Sequence, residues 1–120
     1  MRALLLTLCT LLGAGAGAAR AQPAPDGGSP DGARREALVR IVRQDCGSCH
    51  GMRLTGGLGP ALTRDALADK PLDSMAAAIF HGRPGTPMPG WRTMLSEADA
   101  LWIAQQLLAG FPEEAKAAAR

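Results

Sequence analysis

Apolar side chains recur at helical spacing in three stretches of the chain. Leu38, Ile41 and Val42 predict a first helix that begins near Ala33, with Asp31 as its cap, and runs into Asp45. Leu72, Met75, Ala76 and Ile79 line one side of a helix predicted between Pro71, suited to a first helical position, and Gly82. The last helix carries the fullest set of signals: Ser96 as cap with Asp99 three residues later, a stripe of Leu101, Ala104, Leu108 and Phe111, and a stop at Gly110 and Pro112. It is expected to pack against the first. A short helix fits residues 63–69. No segment alternates apolar and polar residues as a half-buried strand does, and no internal repeat is visible. The pattern therefore predicts an all-α fold.

Between these elements the chain is rich in helix breakers. Residues 51–60 include Gly56, Gly57, Gly59 and Pro60 and form a loop. Residues 82–90 include Pro84, Gly85, Pro87, Pro89 and Gly90, so they are irregular, yet three prolines leave the backbone little freedom. A chain of 120 residues supports one small domain. With long loops, two Trp, two Phe and no Tyr, its side chains alone give a thin core. A further group is expected at the centre.

The N-terminus reads as an export address: Arg2, an apolar stretch from Ala3 to about Gly13, then small residues ending in Ala19-Arg20-Ala21. The apolar run is shorter than the roughly 20 residues of a membrane span. The expected organisation is a signal peptide over 1–21, a Pro- and Gly-rich linker over 22–32, a domain over 33–112 and a tail over 113–120. Cleavage after Ala21 leaves no membrane segment and discards Cys9, whose neighbour Leu8 does not suit a lipid-attachment signal. The full chain has 13 basic and 11 acidic residues; loss of Arg2 and Arg20 leaves 11 of each. A near-neutral mature chain argues against a nucleic-acid partner.

Export leaves Cys46 and Cys49 as the only thiols, in a compartment where cysteines oxidise readily. They stand in Cys46-Gly47-Ser48-Cys49-His50, which fits C-x-x-C-H: two thiols form thioethers to haem vinyl groups and the following His supplies imidazole to the iron. One helical turn then sets both sulfurs along one porphyrin edge. A redox Cys-x-x-Cys lacks its β-α-β surround, and a zinc site lacks a second ligand pair, because His81 stands alone. For the sixth iron position a Met thioether suits a carrier. Met52 is too close to His50 to cross the ring, and Met75 sits on a helix stripe where a structural Met is usual. Met88, between Pro87 and Pro89, is favoured; Met94 is the reserve, and His81 is weaker.

These residues, with Gly59-Pro60, Met88-Pro89 and the capped final helix, resemble the class I cytochrome c family over about residues 33–112. The runs 56–62 and 84–89, with Trp91, are most similar to its small cytochrome c55X (NirC-type) branch, found with cytochrome cd1 nitrite reductase. In one departure, Gly90 stands where another Pro is expected. The resemblance implies N- and C-terminal helices packed together, with short helices and loops around one haem c held by Cys46 and Cys49. It implies His50 and Met88 as iron ligands, and a Pro60 carbonyl that accepts the imidazole N–H; the bland reading of Pro60 is a turn proline. It places Leu62 at a haem-packing position. Trp91 either packs on the haem or bonds a propionate, or has a plain core role, and Trp102 packs between helices.

The implied role is a monomeric periplasmic electron carrier, not an enzyme. It gives electrons to cytochrome cd1 nitrite reductase, serves haem d1 maturation as donor or accessory protein, or supplies another periplasmic oxidoreductase. A basic rim of Arg53, Arg83 and Arg92 is expected to steer docking. Peroxidase or gas-binding chemistry needs an open or displaceable sixth position, and no acid–base pair or activated nucleophile is apparent.

Overall fold

The computed structural model describes residues 29–111. The expected signal peptide with Cys9, most of the linker, and the tail over 113–120 lie outside these residues. The first helix, α1 (Gly32–Ile41), starts where Asp31 accepts a hydrogen bond from Arg34 N at 2.8 Å. It continues without a break into a π-helical stretch, Val42–Cys46, and a single α turn, α2 (Gly47–His50). Three further helices follow: α3 (Arg64–Leu67), capped by Thr63; α4 (Leu72–His81), preceded by Pro71 and ended at Gly82; and α5 (Glu97–Ala109). Among the described residues there is no strand. The expected all-α architecture is the observed one.

The core is one apolar cluster. Leu38 and Val42 from the first helical rod are fully buried against it, as are Ile103 and Ala104 from α5, with Leu54, Leu67, Ile79 and Leu95 completing it from loops and short helices. Full burial of a side chain such as Leu38 or Ile103 contributes roughly 1.5–3 kcal/mol. α4 makes its main helix contact with α5. α1 is tied to α5 by this shared cluster and by Arg34, whose Nη2 and Nε donate to Asp99 Oδ2 and Oδ1 at 2.6 and 3.1 Å. The first and last helices thus come together as the resemblance implied.

One pattern assignment needs correction. The stripe through Leu101 and Leu108 is not the buried face of α5: Leu101 is 37% exposed, while Ala100, Ile103, Ala104 and Leu107 are buried. The true stripe is rotated by about one residue. Ala104 is common to both stripes and Leu108 packs at the edge of the cluster; counting Ala100 as a weak apolar position hid the rest, yet small residues are what a close helix neighbour requires.

Candidate functional site

Cys46 through His50 have helical backbone, so the two thiols, three residues apart, stand on neighbouring positions of one helix face. They are not joined to each other. Ser48 Oγ donates to Asp45 O at 2.6 Å and fastens the turn to the π-helical stretch before it. Burial pushes the Cys46 thiol up to about 11, and the neighbouring Asp45 charge adds to the effect. A thiol held neutral in this way is a poor redox nucleophile, which needs thiolate. A thioether carries no charge, so it suits this half-buried position.

His50 is fixed on three sides. Its carbonyl accepts from Gly56 N at 2.8 Å, and the Cys49 carbonyl accepts from Gly59 N at 2.8 Å, so the loop caps the end of α2. Its ring Nδ1 lies 2.7 Å from the Pro60 carbonyl oxygen. A carbonyl only accepts, so Nδ1 carries a proton, and in the neutral ring Nε2 is left with its lone pair, the form that binds a metal. Gly59 lies flat against the ring: a β-carbon there would stand 2.7 Å from Cε1 and 2.8 Å from Nδ1. The sequence named Gly59 only beside Pro60 and missed its role, which is a contact across nine residues of chain.

The remaining expected residues border the core. Cys46, Leu62 and Trp91 are half-buried against the apolar cluster. Leu62 N donates to Leu54 O at 2.8 Å, and Leu54 is itself buried at a positive φ of 60°, a conformation costly for a branched side chain. No sequence signal singled out Leu54. Met88 is half-buried on the loop that follows α4, and Met75 is half-buried in the core. Met94 is 54% exposed, and its carbonyl is taken by Arg34. Met52, 63% exposed, places its sulfur beside Gly47, and Leu58, 95% exposed, sits between Gly57 and Gly59 where they meet Cys49 and His50. His81 is exposed, edge-on to Phe80. Arg53, Arg83 and Arg92 are all exposed.

Two adjacent sulfur positions, one of them half-buried, and an imidazole with its Nε2 bare fit a covalently held haem. Comparison with known proteins gives the same answer. A family model described as cytochrome c oxidase, cbb3-type, subunit III matches residues 33–106. The chain is 55% identical over 85 residues to cytochrome c55X of Stutzerimonas stutzeri, spanning 71% of this chain and 75% of that protein. The solved structure of a c-type cytochrome NirC is similar at a TM-score of 0.66 and 54% identity, over 67% of this chain and 94% of that one. Dihydro-heme d1 dehydrogenase of Pseudomonas aeruginosa is 35% identical over 74 residues, 62% of this chain but only 15% of that larger protein.

Proposed function

The chain belongs to the class I cytochromes c, in their cytochrome c55X (NirC-type) group, and from that premise we propose a periplasmic electron carrier that donates to cytochrome cd1 nitrite reductase. It carries one haem c bound through Cys46 and Cys49, which supplies one-electron redox chemistry. His50 and Met88 are the proposed iron ligands. The observation that carries this reading is the 2.7 Å contact of His50 Nδ1 with the Pro60 carbonyl: it fixes the ring's tautomer and orientation and raises the basicity of Nε2. Leu62 and Trp91 are proposed to pack on the haem from the core side. Export by the N-terminal signal accounts for the periplasmic setting; among the described residues no helix is long and apolar enough to cross a membrane.

Exposed Met52 and Leu58 beside the attachment turn offer a small apolar contact, and Arg53, Arg83 and Arg92 offer a basic rim for an acidic partner. The test is anaerobic stopped-flow mixing of the reduced protein with oxidised cytochrome cd1 nitrite reductase. Fast second-order transfer that weakens with salt is expected, with a slower, less salt-dependent rate after Arg53→Glu and Arg83→Glu. Transfer no faster than for an unrelated cytochrome would overturn the assignment. Likeness to a segment of dihydro-heme d1 dehydrogenase favours a second reading, in which the partner is an enzyme of haem d1 maturation. Efficient exchange with that dehydrogenase and none with the reductase would select it.

A further inference from the structure

The loop that carries Met88 is closed at its base by two glycines. The chain leaves α4 at Gly82 and returns at Gly90, and there the two backbones touch. A β-carbon on Gly82 would stand 2.6 Å from Gly90 N and 2.7 Å from the Pro89 carbonyl carbon; one on Gly90 would stand 2.7 Å from both the carbonyl carbon and the oxygen of His81. Neither position accepts a side chain without parting the strands. Just beyond the neck, Trp91 N and Arg92 N donate to Ile79 O and Phe80 O at 3.1 and 3.2 Å, so the returning strand caps the last turn of α4. Within the loop Arg83 N donates to Met88 O at 3.1 Å, Thr86 Oγ1 donates to Arg83 O at 2.7 Å, and Met88 N donates to Thr86 Oγ1 at 3.3 Å. Pro87 and Pro89 fix φ on either side of Met88. A loop so braced has little internal freedom to absorb a displacement at its base.

We propose that Gly82 and Gly90 are positioning residues for the sixth iron ligand: their backbone contact sets how far the loop projects and so keeps the Met88 sulfur seated. The inference rests on the ligation by Met88 proposed above. It also gives a physical reason for Gly90 in place of the expected proline, whose β-carbon would collide with the end of α4.

The haem-loaded protein tests it through the far-red charge-transfer band of the oxidised form, which reports Met sulfur on iron, together with a redox titration and imidazole binding. Gly82 and Gly85 both have φ of 78°, yet a β-carbon on Gly85 meets nothing within 4 Å. Gly85→Ala therefore carries a positive φ without the collision, Gly90→Ala carries the collision without a positive φ, and Gly82→Ala, at ψ −174°, carries both. Gly82→Ala and Gly90→Ala are expected to weaken or lose the band, lower the potential, and bind imidazole about ten-fold more tightly as the sulfur-free state gains population. Gly85→Ala should keep all three values. Equal effects at Gly85, or unchanged values in both neck variants, overturn the proposal. So does failure of both neck variants to load haem while Gly85→Ala loads it, because a parted neck leaves the attachment turn intact. Met88→Ala separates the premise: if it keeps the band, the ligation is wrong; if it loses the band while the neck variants keep it, the neck alone is wrong.

Discussion

A β-carbon on Gly59 would sit 2.7 Å from His50 Cε1, so the residue that orients the imidazole does so by having no side chain. Gly59→Ala must turn the ring or push the strand away, and either movement lengthens the hydrogen bond from Nδ1 to the Pro60 carbonyl. In the proposed ligation this lowers the basicity of Nε2 and weakens its support of oxidised iron. The expected result is a reduction potential above that of the parent protein, with less haem-loaded product; a redox titration showing the parent value at full yield would contradict it. Cys46 illustrates the complementary point. Its thiol, raised to about 11 by burial, is almost wholly protonated at neutral pH, and a thioether likewise places no charge in that half-buried position. None of this depends on the residues between the cysteines, which the motif leaves free.

Among the elements, α5 and its N-terminus act as the hub. Ser96 Oγ accepts from Asp99 N at 3.1 Å and Asp99 Oδ2 accepts from Ser96 N at 2.9 Å, a reciprocal box that Arg34 then locks from α1 with its paired donors. Burial pushes the Asp99 carboxyl up, but the hydrogen bonds from Arg34 and from Ser96 outweigh it and leave the group below the usual carboxylate range. A carboxyl whose folded pKa lies below its unfolded value stabilises the fold above about pH 3.9, and that contribution disappears as the pH falls through the folded pKa. Asp99→Asn is therefore expected to melt well below the parent at pH 7, with the gap closing below about pH 4. Thermal melts followed by circular dichroism across this range check it, and a gap independent of pH would contradict it. Ser96→Ala, which removes one half of the box, should cost about 1 kcal/mol.

Among the described residues the core has eleven buried apolar residues, Ala100 and Ala104 among them, and Leu38, Ile103 and Val42 are its largest fully buried side chains. Domains of this size are marginal without a staple or a bound group. In the proposed site a haem tethered at Cys46 would lie against the apolar cluster that Cys46, Leu62 and Trp91 border, so its removal is expected to cost most of the folding free energy, which is on the order of 5–15 kcal/mol in ordinary domains. A Cys46→Ala/Cys49→Ala chain expressed without haem should lose most of its helical circular dichroism at 25 °C and show no cooperative urea transition. A sharp transition at the parent midpoint would refute this.

The caps at Asp31 and Ser96 and the attachment turn were legible along the chain because they depend on neighbours in sequence: both residues cap helices within three residues of themselves, and Cys46 to His50 occupy one turn. Contacts between distant segments were not. Arg34 with Asp99, Gly59 with His50, Gly82 with Gly90, and the π-helical stretch ahead of Cys46 leave no periodic or compositional trace, and the buried side of α5 was misphased by one residue because Ala100 counts little in a hydrophobic pattern beside Leu101 yet matters greatly where helices approach. The order of residues determined the covalent chemistry of this protein, since two thiols and an imidazole in C-x-x-C-H need only one turn of helix. Folding decided which backbones could come within a β-carbon's reach of one another, and with that the orientation of His50 and the seating of the Met88 loop.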